Sequence, residues 1–262
     1  MKKLVLILCA AIICSSFAPY TIDVYSVIKV IGGIKHASNN KALFTGDKIL
    51  SNERLTFASN LSKAALVNKE KGRLMLNATA SGTVSEGLMP ALNNVSSRGG
   101  ALINSLDLKN HFADKYLILS GYEVEIGDAS FPMDEEKFFF LRFMHNGEEI
   151  SKKLPFENNK LKMDAAEILK VDGKAITLKE GTTAQLVYRN SIDKTSETIA
   201  SFEPIFADEK NLKNECKLIV YEIGSEKNTE KSREQLLSYL TENYGKPLNS
   251  NFNQWLKTNL EM

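Results

Sequence analysis

The chain has 262 residues, 43% hydrophobic and 25% charged, with 33 Lys+Arg set against 32 Asp+Glu. Six Pro and fifteen Gly exclude collagen-like and linker-like chains, while thirteen Phe and eight Tyr exclude wholesale disorder. A net charge of +1 argues against a dedicated nucleic-acid binder, and the length allows one large or two small domains with real cores.

The first eighteen residues, MKKLVLILCAAIICSSFA, read as a signal peptide (1–18). Lys2 and Lys3 supply the positive start, and Leu4 to Cys14 is an uncharged apolar run. Its length suits the roughly 7–15 residues of a signal core rather than the ~20 of a spanning helix. Cleavage falls after Ala18 or before Phe17. The alternatives are an uncleaved N-terminal membrane anchor, since no charge appears from Leu4 to Ile22, and lipidation at Cys14, which the bulky Ile13 fits poorly. On each reading the chain is exported, to the periplasm or cell surface, and a membrane is a partner only if the leader stays. Cleavage removes Cys9 and Cys14, so Cys216 stands alone and no disulfide framework exists.

Residues 24–80 carry short β signals. Val24–Ile31 is β-branched and aromatic and stops at Gly32-Gly33. Leu43-Phe44, Lys48–Leu50, Leu55–Phe57, Ala64–Val67 and Leu74–Leu76 follow, separated by Gly, Asn and Asp. Such spacing predicts a small barrel or sandwich. The string IGGIKH…KALFTGDKILSNERLTFASNLSKAALVNKEKGRLML resembles the FecR-like β domain, with Leu43, Gly46, Asp47, Ser62, Ala64, Leu66 and Gly72 in the places of its motifs. Signalling members of that family span a membrane and regulate sigma factors through a cytoplasmic segment. Only Met1-Lys2-Lys3 precedes the apolar run here, so that role is not carried over. The resemblance implies a secreted β module used for binding, and it supplies no catalytic residue.

Residues 81–114 are small and polar, from Ser81-Gly82 to Gly99-Gly100, and read as a linker with one or two short helices, the second closing near His111-Phe112. Residues 115–206 return to β. Tyr116–Leu119 and Tyr122–Ile126 flank Gly121, and Lys137–Met144 is apolar enough to be buried on both faces. Asn146-Gly147 and Asp172-Gly173 are hairpin turns, because these pairs adopt positive φ readily. Ala184–Arg189 and Thr198–Phe202 close the domain.

From 207 to 262 the period becomes 3.6. Leu212, Cys216, Ile219, Val220 and Ile223 share one helix face, with Asp208 as N-cap and Gly224 past the C-terminus. Leu236, Leu237, Leu240 and Tyr244 form a second stripe ended by Gly245 with Pro247 beyond. Phe252, Trp255, Leu256 and Leu260 form a third. The fold class expected is therefore α+β: a small SH3-like or sandwich-like β domain (24–80), a second β-rich domain (115–206) and a C-terminal three-helix cap (207–262).

No constellation for chemistry stands out, and no catalytic residue, metal site or cofactor is assigned. Cys216 lies within a helix stripe, where burial would keep its thiol protonated. His36, His111 and His145 fall in a loop, at a helix end and beside a hairpin, with no metal-ligand spacing among them. Asp134-Glu135-Glu136 lacks the alternation of a calcium loop and reads as a solvated turn. Gly32-Gly33 and Arg98-Gly99-Gly100 are turns, not phosphate loops. Asn77-Ala78-Thr79 and Asn94-Val95-Ser96 match the glycosylation sequon, which matters only in a pathway that glycosylates.

Charge is uneven along the chain: residues 19–80 hold nine Lys/Arg against four Asp/Glu, and the rest is mildly acidic. Lys63, Lys69, Lys71 and Arg73 are the tentative basic patch for an anionic partner, the alternatives being a soluble face or docking onto the chain's own acidic half. The function expected is an exported, non-enzymatic cell-envelope binding protein, its partner an envelope protein or an anionic cell-wall polymer and not a nucleic acid. The alternative is a secreted hydrolase with a site between the second β domain and the C-terminal helices.

Overall fold

The computed structural model describes residues 22–91, 102–223 and 230–262. The leader, the sequon at Asn94, Arg98-Gly99-Gly100 and Gly224 lie outside them. The fold is α+β, with strands through most of the chain and helices at its C-terminal end. Among the described residues, no helix is long and apolar enough to cross a membrane. Along the chain, two compact units divide between Met89 and Pro90.

The first unit contains β1 (Val24–Ile31), β2 (Ile34–His36), β3 (Lys48–Leu50), β4 (Leu55–Phe57), β5 (Lys63–Asn68), β6 (Gly72–Asn77), α1 (Val84–Gly87) and β7 (Leu88–Pro90). Its main sheet runs β3-β1-β5-β6-β7, and β2 pairs with β4 as a separate ribbon. β1 is antiparallel to both β3 and β5, which puts Val27, Ile49, Leu66 and Leu76 in one fully buried core. The β5–β6 hairpin is set by Asn68, whose Oδ1 accepts from the backbone N–H groups of Glu70 and Lys71, each at 2.9 Å.

Two expectations need correction here. Leu43-Phe44 is not a strand: Leu43 is buried, but Phe44 stands exposed on a turn closed by Asp47, whose Oδ2 accepts from the Phe44 N–H at 2.8 Å. The first unit also continues past residue 80. The Leu55 N–H donates to Gly82 O at 2.8 Å, and Val84 then enters the core with no exposed surface. The polar composition of 81–87 thus marks a turn that delivers one valine, not the start of a linker.

The second unit holds α2 (Ser105–His111), β8 (Lys115–Leu117), β9 (Tyr122–Glu125), β10 (Lys137–His145), β11 (Glu148–Lys153), β12 (Phe156–Glu157), β13 (Lys160–Met163), α3 (Ala165–Ile168), β14 (Lys170–Val171), β15 (Lys174–Ala175), β16 (Ala184–Asn190), β17 (Thr195–Ile205), α4 (Glu209–Ile223), α5 (Glu230–Asn243), β18 (Lys246–Pro247) and α6 (Asn249–Leu260). A six-stranded sheet runs β11-β10-β16-β17-β8-β18, and β12-β13-β9 form a smaller one. Asn146 (φ 51°) and Gly147 (φ 88°) make the β10–β11 turn. β8 runs parallel to β17 on one side and to β18 on the other. Pro247 is therefore a strand residue, where the sequence had only a stop after the helix.

β10 meets its expected double burial only in part. Phe139, Leu141 and Phe143 are buried on the core face, while on the other face Phe140 is buried, Phe138 is half-buried and Met144 is 54% exposed. That face is covered by cationic stems: Lys153 Nζ lies 4.2 Å from the Phe138 ring centre and the Arg142 guanidinium 5.3 Å from that of Phe140.

The helices pack as their stripes require. Asp208 caps α4 by accepting from the Asn211 N–H at 2.8 Å, and Leu212, Cys216 and Ile219 are buried while Val220 and Ile223 are half-buried. Side-chain hydrogen bonds tie the three together. Glu209 Oε2 accepts from Trp255 Nε1 at 2.5 Å, linking α4 to α6, and Glu215 Oε2 accepts from Tyr239 and Tyr244 at 2.8 and 2.5 Å, linking α4 to α5.

Candidate functional site

The basic residues singled out from sequence do not form one surface. Lys63 opens β5, whereas Lys69 and Lys71 sit in the turn at its far end, roughly 20 Å away at the strand rise. Lys71 is paired with Asp23, which holds that carboxyl below its ordinary range. Arg73 is 6% exposed and lies on the face of β6 opposite Leu74 and Leu76, which pack into the first unit's core, so it presents little surface to a partner. His36 ends β2 instead of lying in a loop, and its Nδ1 is 2.5 Å from Glu53 Oε1. His145 stands beside its hairpin, with Nε2 3.1 Å from the Asn146 amide. Asp134 binds its own turn, accepting from the N–H groups of Glu136 and Lys137 at 2.7 Å.

The third histidine lies in a different setting. α2 is opened by a reciprocal capping box between Asn104 and Asp107 and ends at His111. The chain turns through Asp114, at φ 55°, into β8, and Tyr116 on that strand points its phenol back to His111 Nε2 at 2.7 Å. Tyr116 Oη is also 3.1 Å from the buried Tyr122 Oη. When Tyr122 donates to Tyr116 and Tyr116 donates to Nε2, all three are satisfied and the imidazole proton rests on Nδ1.

Across from this chain, α5 ends in a turn through Gly245, whose N–H donates to Leu240 O at 3.1 Å. Gly245 has φ +108°, and a Cβ there would strike the backbone carbonyl of Lys115. The close approach seats β18 against β8 and brings Lys246, Pro247, Leu248 and Asn249 opposite Asn110, His111, Asp114 and Tyr116. Between them lies a groove of about 450 Å³, within the usual size of small-molecule sites.

The electrostatics of the groove are mixed. Burial, helped by the Lys246 ammonium, lowers the His111 pKa to about 4, so the ring is neutral at ordinary pH. Burial raises the phenols of Tyr116 and Tyr122. Thr241 gives its hydroxyl proton to Leu237 O at 2.8 Å. Asn249 Oδ1 is buried without a hydrogen-bond partner. Lys115 also lines a second cavity of about 280 Å³, where it lies 3.6 Å from Glu180 and 3.9 Å from Glu203.

Sequence reasoning noticed His111 and Gly245, but as a helix end and a helix stop. It missed Asp114 and Lys246, which no local motif marks, because the groove joins two segments about 130 residues apart. Among the described residues, no group of three His, Cys, Asp or Glu could hold a metal ion. No family model, curated protein or solved structure matches the chain.

Proposed function

We propose that the protein is an exported cell-envelope binding protein, and that it holds an anionic cell-wall polymer in the groove between β8 and the C-terminal helices of the second unit. The supporting observation is the His111–Tyr116 pair. A neutral imidazole whose Nε2 is taken by a buried phenol keeps only its Nδ1–H to give, and the pair holds no ready nucleophile. Lys246 adds a positive charge for an anionic ligand. The signal-like pattern of the leader supports binding outside the cytoplasm.

The hydrolase reading located its site in the same region, so one experiment separates the two. The full chain is incubated with isolated anionic wall polymer, sedimented with it, and the supernatant is analysed for fragments. Binding that salt releases, that Lys246→Glu weakens, and that leaves the polymer intact supports the proposal. Progressive shortening of the polymer by the wild-type chain replaces it with hydrolysis.

A further inference from the structure

The six-stranded sheet of the second unit has two edges, and they are built differently. β18, at one edge, is two residues long, and its Pro247 has no N–H to offer an added strand. β11, at the other, runs six residues from Glu148 to Lys153, with Glu148, Glu149, Ser151 and Lys153 exposed.

The register with β10 decides which backbone groups of β11 are unspent. The Leu154 N–H donates to Phe139 O at 2.9 Å, and the antiparallel register runs on from that pair to His145 opposite Glu148. Hydrogen-bonded pairs alternate along such a ladder, so Lys152, Ile150 and Glu148 turn their N–H and C=O groups toward β10. Glu149, Ser151 and Lys153 turn theirs to the open side of the sheet.

Charges on an edge usually turn an added strand away. On β11 they are sorted: Glu148 and Glu149 begin the strand, and Lys152 and Lys153 end it. A second β11 laid antiparallel, with the two Ser151 facing across a two-fold axis, brings Glu149 of each copy opposite Lys153 of the other. The outward groups then make three facing pairs, each exchanging two N–H···O bonds. A slide of two residues one way sets Lys152 against Lys152, and a slide the other way loses the Lys153 pairs to the turn at Gly147. A parallel arrangement in register sets acid against acid.

These charges already have contacts within the chain. Glu149 lies 3.4 Å from Arg142 Nε and keeps acceptor sites to spare. Lys153 lies 3.8 Å from the almost wholly exposed Glu135 and rests over the Phe138 ring, so pairing exchanges surface contacts for another of the same kind. The backbone pairs therefore supply the attraction, and the charges set the register and exclude other strands.

We propose that two copies of this chain pair antiparallel through β11, with Ser151 on the two-fold axis, joining their six-stranded sheets into one. The β18 edges stay free at the two outer ends. Where the groove binds a polymer, the pair presents two grooves to it, which raises its hold without a new contact. The pairing itself does not depend on that reading.

Sedimentation equilibrium of the purified chain over a dilution series tests the proposal. A reversible dimer is expected, weak because an edge contact is small. Ser151→Pro removes the central pair but leaves the inward ladder to β10 intact, and should weaken association at least about tenfold. Lys153→Glu sets Glu against Glu twice and should weaken it by about the same factor. Adding Glu149→Lys to Lys153→Glu reverses both partners and should restore the dimer. In the wild type alone, amide exchange at Glu149, Ser151 and Lys153 should slow as concentration rises, which decides the matter even if a variant misfolds. A chain that stays monomeric, a dimer that none of the single changes weakens, or exchange at those three amides that ignores concentration overturns the proposal. A folded double variant that stays monomeric overturns the register.

Discussion

The phenol of Tyr116 and the Nε2 of His111 lie 2.7 Å apart in the lining of the groove. Burial and the nearby Lys246 hold the folded His111 pKa near 4, whereas the unfolded ring titrates near its ordinary value of 6.5. Between these values the unfolded chain binds a proton that the folded chain refuses. Stability is therefore full above about pH 6.5, falls as pH drops toward about 4, and is flat with respect to this group below that. Allowing for partial exposure of the ring, the loss is on the order of 2–3 kcal/mol. Urea unfolding at about pH 7 and about pH 4.5 should show a smaller drop for His111→Gln than for the wild type. Equal drops would contradict the assignment.

Gly245 is the hinge on which the groove is built. Alanine there must hold φ +108° and press its Cβ against the Lys115 carbonyl, so Gly245→Ala should destabilise by on the order of 3 kcal/mol. Gly121 also has positive φ (+70°), but open space surrounds its missing side chain. Gly121→Ala should cost only about 1 kcal/mol. Chemical denaturation of the two variants checks the contrast, and similar losses would show that φ alone, not the close approach, constrains Gly245.

Glu215 is buried between α4 and α5 and accepts from both Tyr239 and Tyr244. Glu215→Ala removes an acceptor shared by two phenols and should cost roughly 3 kcal/mol. Glu215→Gln keeps an acceptor oxygen and should cost clearly less. If glutamine proves as damaging as alanine, the charge, not the acceptor, is what the two phenols require.

Cys216 has no exposed surface, and burial raises its thiol well above the ordinary range. Alkylation in native buffer should be far slower than in denaturant, with no linked dimer on non-reducing gels. Rapid native labelling would return it to the list of reactive groups.

What the sequence made legible was whatever a local period encodes. The β-branched run of β1, the Asn146-Gly147 turn, and the stripe from Leu212 to Ile219 each follow from a few adjacent residues and their spacing. What it hid depends on distant partners. Val84 reads as one apolar residue in a polar stretch until the Leu55–Gly82 hydrogen bond places it in a core. β18 is too short to carry a period, and it exists because Gly245 lets the chain press against β8. Arg73 was hidden in the same way: its charge and its place opposite the core-facing Leu74 and Leu76 both suggested a surface, yet it is 6% exposed. The groove was hidden for the same reason as β18, since Asp114 and Lys246 meet only after β8 and β18 pair.

The central claim is that an anionic envelope ligand is held by the second unit and not by the basic residues of the first. Backbone amide shifts of the full chain, recorded as soluble fragments of anionic wall polymer are added, test it most directly. The account predicts perturbations concentrated at residues 110–116 and 241–249, fading as salt is raised. Perturbations concentrated instead at Lys63, Lys69 and Lys71, with residues 110–116 and 241–249 unmoved, would contradict it.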